Sequence, residues 1–215
     1  MRCTNTSFHV FESATAIPAS KGRMMLAANC NYRYCLSRFT CKDIVVPFHF
    51  AVTKCTLPVA HDVCFKLTGL KTFYVTSQPI YIWPGASPYQ AIAQAGIESV
   101  LSVRDPAEYI SPLVPFDLTE TDQLILNGVA YGNIPLPHIA MSQAQFNHQG
   151  HAIARALNEW TPPGLLHCSS GDRASAAFAC YLISFGGFTN AAALQFAQGL
   201  ALENEQFIDF VKGYS

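Results

Sequence analysis

The sequence predicts an α/β fold, with one central, mostly parallel sheet of four or five strands and helices on both faces. From Thr72 onward, short runs rich in β-branched and aromatic residues alternate with longer stretches whose apolar residues recur at helical spacing. Hydrophobic residues make up 50% of the 215-residue chain, enough for a sizeable core. Strands that alternate with helices are typical of a parallel sheet covered on both faces.

The chain divides near residue 68. We predict a domain over residues 69–215, and residues 1–68 form an N-terminal extension to which no fold is assigned. Residues 1–64 hold seven Lys/Arg against three acids and six of the eight cysteines, with no sustained period of 3.6 or 2. This basic segment fits an organellar targeting peptide, and it fits equally an upstream extension from a misplaced start codon.

Within the domain, turn residues separate the predicted elements. Ser87 and Pro88 suit a helix start, and Gly96 suits its end. The break at Pro162, Pro163 and Gly164 precedes a strand that runs straight into Cys168. The predicted strands are 73–75, 97–103, 129–134 and 165–167, and the predicted helices are a segment of about nine residues up to Gly96, 119–127, 142–160, 174–185 and a last segment from Thr189 to near Tyr214.

Charge and composition exclude several function classes. The formal net charge is −1 and no long run of like charge occurs, so neither a nucleic-acid partner nor a polybasic membrane anchor is expected. No stretch reaches the ~18 apolar residues of a membrane-spanning helix. We therefore expect a cytoplasmic protein, or an imported one if the N-terminal extension is a targeting peptide. No metal or cofactor is expected, because the histidines are not at ligand spacing with carboxylates.

The residues that indicate chemistry lie at 167–175, in the sequence HCSSGDRAS. A loop between a strand and a helix N-terminus points successive N–H groups into one concavity, which suits an oxyanion. The same field stabilises a thiolate, so Cys168 is the candidate nucleophile. Arg173 offers a planar fork to two phosphate oxygens. The candidate phosphate-binding residues are Ser169, Ser170, Gly171, Ser175 and Arg104.

This loop resembles the HCxxGxxR(S/T) signature of protein tyrosine and dual-specificity phosphatases. The stretch 73–214 resembles the beta-lactamase-hydrolase-like phosphatase domain, a branch of that superfamily. The resemblance implies a cysteine-dependent phosphatase that forms a phosphocysteine on Cys168, acts on a phosphorylated small molecule or protein, and uses His167 to tune the thiolate. The segments that carry the resemblance are 74–79, 95–100, 103–104 with Glu108, 131–135, the Cys168 loop, 191–193 and 199–200.

Two departures from the superfamily pattern stand out. Four residues separate Cys168 from Arg173, whereas the superfamily loop usually has five. No carboxylate follows Pro135, where dual-specificity enzymes usually carry a general acid. His138 and Asp172 are the alternatives for the acid, and Asp172 could instead orient Arg173.

Other readings stay open for Arg104 and for the domain. Arg104, at the end of a predicted strand, is either a second anion contact, a partner for Glu108, or part of a surface ion pair. The six residues from Cys168 to Arg173 also match the loop size of rhodanese-type sulfurtransferases, in which the cysteine carries a persulfide. The residues after Gly187 favour the phosphatase-like prediction, because they form a helix-like run where a rhodanese has a strand. A non-catalytic phosphate-binding module is a third hypothesis.

Overall fold

The computed structural model describes residues 50–54, 63–79, 87–105, 108, 120–137 and 141–215. These residues form an α/β fold around a six-stranded sheet of order β1-β2-β3-β6-β4-β5. The strands are β1 (Ala51–Lys54), β2 (Cys64–Thr68), β3 (Thr72–Thr76), β4 (Ser99–Ser102), β5 (Ala130–Asn133) and β6 (Gly164–His167).

The predicted count of four or five strands is wrong, because β1 and β2 were not anticipated. Both lie within residues 1–68; β1 pairs antiparallel with β2, and β2 pairs antiparallel with β3. Each has only four or five residues, and β1 is exposed or half-buried throughout. Such short strands do not produce a recognisable alternation of apolar and polar residues.

The rest of the sheet is parallel, as predicted. Strand β6 lies between β3 and β4, and β4 pairs with β5 on its other side. The register sets His167 opposite Thr76 on β3 and opposite Ser102 on β4. The carboxyl ends of β6 and β4 therefore meet at the same edge of the sheet, the edge where α/β folds bind their ligands.

Six helices surround the sheet within the described residues: α1 (Pro88–Gln94), α2 (Glu120–Leu126), α3 (Gln143–Glu159), α4 (Asp172–Gly186), α5 (Asn190–Leu200) and α6 (Glu205–Lys212). Helix α1 ends before Gly96, whose φ of 76° lies in the left-handed region. The single segment predicted after Thr189 is two helices. The break occurs because the Asn204 side chain accepts hydrogen bonds from the N–H groups of Gln206 and Phe207 and so begins α6.

The helices form one layer on each face of the sheet. Helices α1 and α2 contribute Tyr89, Ile92 and Leu124 to a core against one face. Helices α3 to α6 cover the other face, where Phe178 of α4 is fully buried. A fully buried side chain of this size contributes roughly 1.5–3 kcal/mol to stability. No described helix is long and apolar enough to cross a lipid bilayer.

Candidate active site

Cys168 directly follows β6, at the carboxyl edge of the sheet, and its side chain is fully buried. The backbone N–H of Gly171 donates to its Sγ atom at 3.0 Å. Residues 168–171 thus turn back on themselves, and α4 begins at Asp172. The sulfur therefore lies at a helix N-terminus, where the N–H groups favour negative charge.

Gly171 makes this turn sterically feasible. Its φ is 107°, in the left-handed region that side-chain-bearing residues rarely adopt. A Cβ atom at this position would lie 3.1 Å from both Val63 Cγ1 and Ala201 Cβ. Any other residue would meet both backbone strain and crowding, so the direction of the N–H toward Cys168 depends on glycine.

Arg173 follows in the first turn of α4, buried, with its guanidinium bound by Glu108. Its two terminal nitrogens each donate to one carboxylate oxygen of Glu108, at 2.8 Å for Nη2 to Oε2. Nη1 also donates to the carbonyl of Leu136, and Nη2 to the Ser169 hydroxyl. The carboxylate of Glu108 thus binds the two guanidinium nitrogens that were predicted to bind phosphate.

The Arg173–Glu108 pair changes the acidity of both groups. Burial alone would raise the pKa of Glu108, but the hydrogen bonds and charge of Arg173 hold that pKa below its ordinary value. Burial likewise opposes the charged form of Arg173, yet Glu108 and the nearby Cys168 raise the pKa of the guanidinium above its ordinary value. Both groups are therefore ionised near neutral pH.

Arg104, two residues beyond the end of β4, contacts the same carboxylate. It is buried, its Nε donates to Glu108 Oε2 at 3.3 Å, and its Nη1 donates to Gln78 Oε1 at 3.0 Å. Gln78 in turn donates its backbone N–H to the carbonyl of Ser169. Of the readings open for Arg104, the geometry is that of a partner for Glu108 in the interior of the site.

The other predicted residues of the loop contact protein groups. The Asp172 carboxylate accepts the backbone N–H groups of Glu203 and Asn204 at 2.8 and 2.9 Å, and the Ser170 hydroxyl at 3.0 Å. The Ser175 hydroxyl is buried and donates to the carbonyl of Gly171 at 2.9 Å. Asp172 therefore connects the loop to the segment between α5 and α6, and Ser175 holds the turn from within α4.

No model of a protein family matches the chain, and no curated protein matches it. Among solved structures, kinase-associated phosphatase with serine in place of its catalytic-site cysteine superposes with a TM-score of 0.52 at 13% identity, over 77% of this chain and 93% of that one. The chain has a protein tyrosine phosphatase-like fold.

Other structures with this fold are less similar in shape. Tk-PTP in its active form gives a TM-score of 0.48 at 19% identity, over 65% of this chain and 88% of that one. The core catalytic domain of the PP-IP phosphatase SIW14 from S. cerevisiae, in complex with citrate, gives 0.48 at 15% identity, over 66% of this chain and 80% of that one. The predicted membership of the beta-lactamase-hydrolase-like branch stays a prediction.

In this phosphatase-like fold, the residue before the cysteine has a partner that sequence reasoning missed. His167 is the last residue of β6, and its Nε2 lies 3.1 Å from Oε1 of Glu120, the first residue of α2. Both side chains are buried. The Tyr131 hydroxyl donates to the other oxygen of Glu120 at 3.4 Å. A glutamate at the start of an amphipathic helix gives no sequence signal for this contact.

One of the two predicted alternatives for the general acid, His138, lies outside the described residues. Asp105 donates its backbone N–H to Glu108 Oε1, and Asp122 is exposed on α2. Within the described part of the chain, no cluster of three or more His, Cys, Asp or Glu side chains could hold a metal ion.

Proposed function

We propose that the domain is a cysteine-dependent phosphatase-like hydrolase that acts on phosphate monoesters. In the first step, the Cys168 thiolate attacks phosphorus, the S–P bond forms, and the P–O bond to the leaving group breaks. The leaving oxygen takes its proton from an acid or from water. In the second step, water attacks phosphorus, the S–P bond breaks, inorganic phosphate leaves, and the thiolate is restored. The substrate is a phosphorylated small molecule or protein.

The observation that carries this proposal is the Gly171 N–H directed at Cys168 Sγ at the start of α4. A donor that already points at the sulfur favours its anionic form without reorganisation. The other loop N–H groups and the helix dipole offer the same favourable field to the phosphoryl oxygens. The protein tyrosine phosphatase-like fold supports the proposal, because its members include phosphatases.

The phosphate-binding module is the second candidate, and the Arg173–Glu108 pair favours it. Both terminal nitrogens of Arg173 already donate to Glu108, so an incoming phosphate must bind through the loop N–H groups or displace that carboxylate. A module that binds phosphate through the loop N–H groups alone can leave this pair intact, whereas catalysis draws on a cation such as Arg173 to stabilise the charge of the transition state. Turnover is the measurement that separates the two candidates.

The test is hydrolysis of p-nitrophenyl phosphate by the wild type, Cys168→Ser and Cys180→Ser. Cys180 is a matched control, since it is buried in α4 and burial raises the pKa of its thiol. We expect hydrolysis by the wild type and the Cys180 variant and only background hydrolysis by Cys168→Ser. Equal rates in the wild type and Cys168→Ser would overturn the phosphocysteine mechanism.

The same preparations should be assayed for thiocyanate formation from thiosulfate and cyanide. A thiocyanate activity that is lost in Cys168→Ser would instead support the sulfurtransferase alternative. If neither activity occurs but phosphate raises the melting temperature of the wild type, the binding module is supported. The helix α5 that follows Gly187 agrees with the feature that favoured a phosphatase over a rhodanese.

A further inference from the structure

The buried contact between His167 and Glu120 has no part in the proposed chemistry, although His167 is bonded directly to Cys168. A carboxylate that is 2% exposed is unfavourable unless other groups compensate its charge. Here the nearest compensating groups are the imidazole Nε2 at 3.1 Å and the Tyr131 hydroxyl at 3.4 Å. Replacing a whole buried ion pair with well-packed apolar residues is often neutral or stabilising, so stability alone does not explain why Glu120 is paired with His167 there.

The two side chains of the His167–Cys168 pair point to opposite faces of the sheet. Leu165 packs in the core beneath α1 and α2, and His167, two residues further along β6, shares its face. Cys168 packs in the core that contains α4. Glu120 therefore cannot act on the sulfur by contact. Any influence passes through the His167 ring and the main chain that joins it to the nucleophile.

The main chain of His167 is already held on one side. Its carbonyl accepts the N–H of Val103 at 2.9 Å, and its neighbours across the sheet are Thr76 and Ser102. The imidazole ring is then the part of His167 whose orientation the main chain does not determine. Nε2 and Oε1 lie at ion-pair distance but are not aligned for a hydrogen bond, so the contact is mainly electrostatic. We therefore expect Nε2 to carry a hydrogen, because a bare lone pair there would repel an ionised carboxylate oxygen at this distance.

We propose that Glu120 is a positioning residue that, through the buried His167 ring, fixes the strand end from which the Cys168 loop departs. The proposal rests on the proposed function, since it concerns how the same nucleophile is aimed. Misplacing a reacting group by about 1 Å can cost on the order of 10²-fold in rate. The effect should appear in kcat, because Glu120 is buried on the far face of the sheet from the sulfur and does not contact the substrate.

The experiment compares Glu120→Leu, Glu120→Gln and Asp122→Leu. The last is a matched control, because Asp122 is an exposed acid in the first turn of the same helix. We expect Glu120→Leu to lower kcat for p-nitrophenyl phosphate by about 10²-fold with KM unchanged. Glu120→Gln keeps an oxygen that can accept from Nε2 and should lose less than about tenfold. A kcat within about threefold of the control in Glu120→Leu would overturn the proposal.

Two further readouts do not depend on turnover. The rate at which iodoacetamide alkylates Cys168, followed by peptide mass spectrometry, should fall in Glu120→Leu and not in Asp122→Leu. Nitrogen-15 spectra of labelled histidine should show a hydrogen on Nε2 of His167 in the wild type. A neutral ring with its hydrogen on Nδ1 would overturn the proposal. If the wild type hydrolyses no phosphate ester, the proposed function fails while these two measurements still decide the role of Glu120.

Variants of His167 serve if Glu120→Leu does not fold. The glutamine amide nitrogen stands in for Nε2, and the asparagine amide nitrogen stands in for Nδ1. His167→Gln can therefore still face Glu120, whereas His167→Asn cannot. We expect iodoacetamide to alkylate Cys168 at least about tenfold faster in His167→Gln than in His167→Asn. Equal alkylation rates in the two variants would count against the proposed contact.

Discussion

Helix α4 joins two regions that are stabilised in different ways. Its first turn belongs to what we call the charged edge, where the buried Arg104 and Arg173 share the half-buried carboxylate of Glu108. In the second turn, Phe178 packs in an aromatic cluster with the rings of Phe73 and Tyr181 at centroid distances of 5.4–5.6 Å. Charges need particular partners at particular atoms, whereas aromatic rings need volume and area. Substitutions at the charged edge should therefore alter both chemistry and the pH dependence of stability, whereas substitutions in the aromatic cluster should alter stability alone.

The largest expected effect concerns the supply of a proton to the leaving group. Glu108, Glu120 and Asp172 each contact a protein group, so none of these three is free to protonate a leaving group. Aryl phosphates should then be hydrolysed ~10²–10⁴ times faster than alkyl phosphates, the usual contribution of general acid catalysis.

The leaving-group dependence should be measured across pH in the wild type, Asp172→Asn and His138→Gln. We expect a steep dependence in all three proteins. A shallow dependence in the wild type that becomes steep in one variant would identify that residue as the acid. In that case the site would contain a proton donor, either Asp172 or His138, in addition to the loop that binds the anion.

The next effect belongs to the aromatic cluster. Phe178→Ala removes a fully buried ring that also contacts Phe50 and Phe196, and it should lower the free energy of unfolding by about 3–5 kcal/mol. Urea denaturation measures the loss. The activity of the folded fraction should change little, because the ring lies outside the charged network. A large drop in kcat at temperatures where the variant is folded would show that the two regions are coupled.

Glu108→Gln should destabilise the protein by about 3 kcal/mol at neutral pH, because it leaves the buried Arg173 without its anion. The pKa of Glu108 is depressed in the folded protein, so its contribution is fully present above the ordinary glutamate pKa and is lost as the pH falls through the lower, folded value. Stability should thus fall below about pH 5 in the wild type and fall less steeply in the variant.

Melting temperatures at pH 7 and pH 3.5 test this expectation, with Glu98→Gln as the control at an exposed site on the opposite end of the sheet.

The affinity for phosphate is a second measurement on the same variant. If Glu108 competes with phosphate for Arg173, then Glu108→Gln should bind phosphate more tightly than the wild type. Weaker binding would mean that Glu108 holds Arg173 in the orientation that phosphate needs.

The smallest expected effect is at Asp172. Asp172→Asn keeps one oxygen for the N–H groups of Glu203 and Asn204 but removes the charge, so it should cost about 1 kcal/mol of stability. Hydrolysis of p-nitrophenyl phosphate should stay within about threefold of the wild type. A much larger loss of kcat with unchanged stability would return Asp172 to the role of acid.

The sequence predicted those parts of the site that depend on local order along the chain. Cys168, Gly171 and Arg173 fall within six residues; the break at 162–164 indicates the strand before them, and an apolar, alanine-rich run indicates the helix after them. The helix start at Ser142 was predicted too, and its side chain bonds the N–H of Gln145 in a capping box. Such features need only neighbouring residues, so one sequence is enough.

Contacts between distant residues could not be predicted in the same way. Glu108 and Arg173 are 65 residues apart, and nothing in either local pattern indicates that they meet. The contact of Glu120 with His167 depends on where the first turn of α2 packs on the sheet. Strands β1 and β2 were missed because pairing with a neighbouring strand, rather than their own short sequences, makes them strands.

The contact of Gly171 with Val63 has a consequence for any attempt to produce the domain alone. Val63 directly precedes β2, lies next to Gly171 of the Cys168 loop, and exchanges hydrogen bonds with Ser77 after β3. A recombinant fragment that begins at residue 69 would lose Val63 together with strands β1 and β2 of the sheet. The shortest fragment that keeps the loop in shape must therefore begin no later than residue 50, ahead of β1.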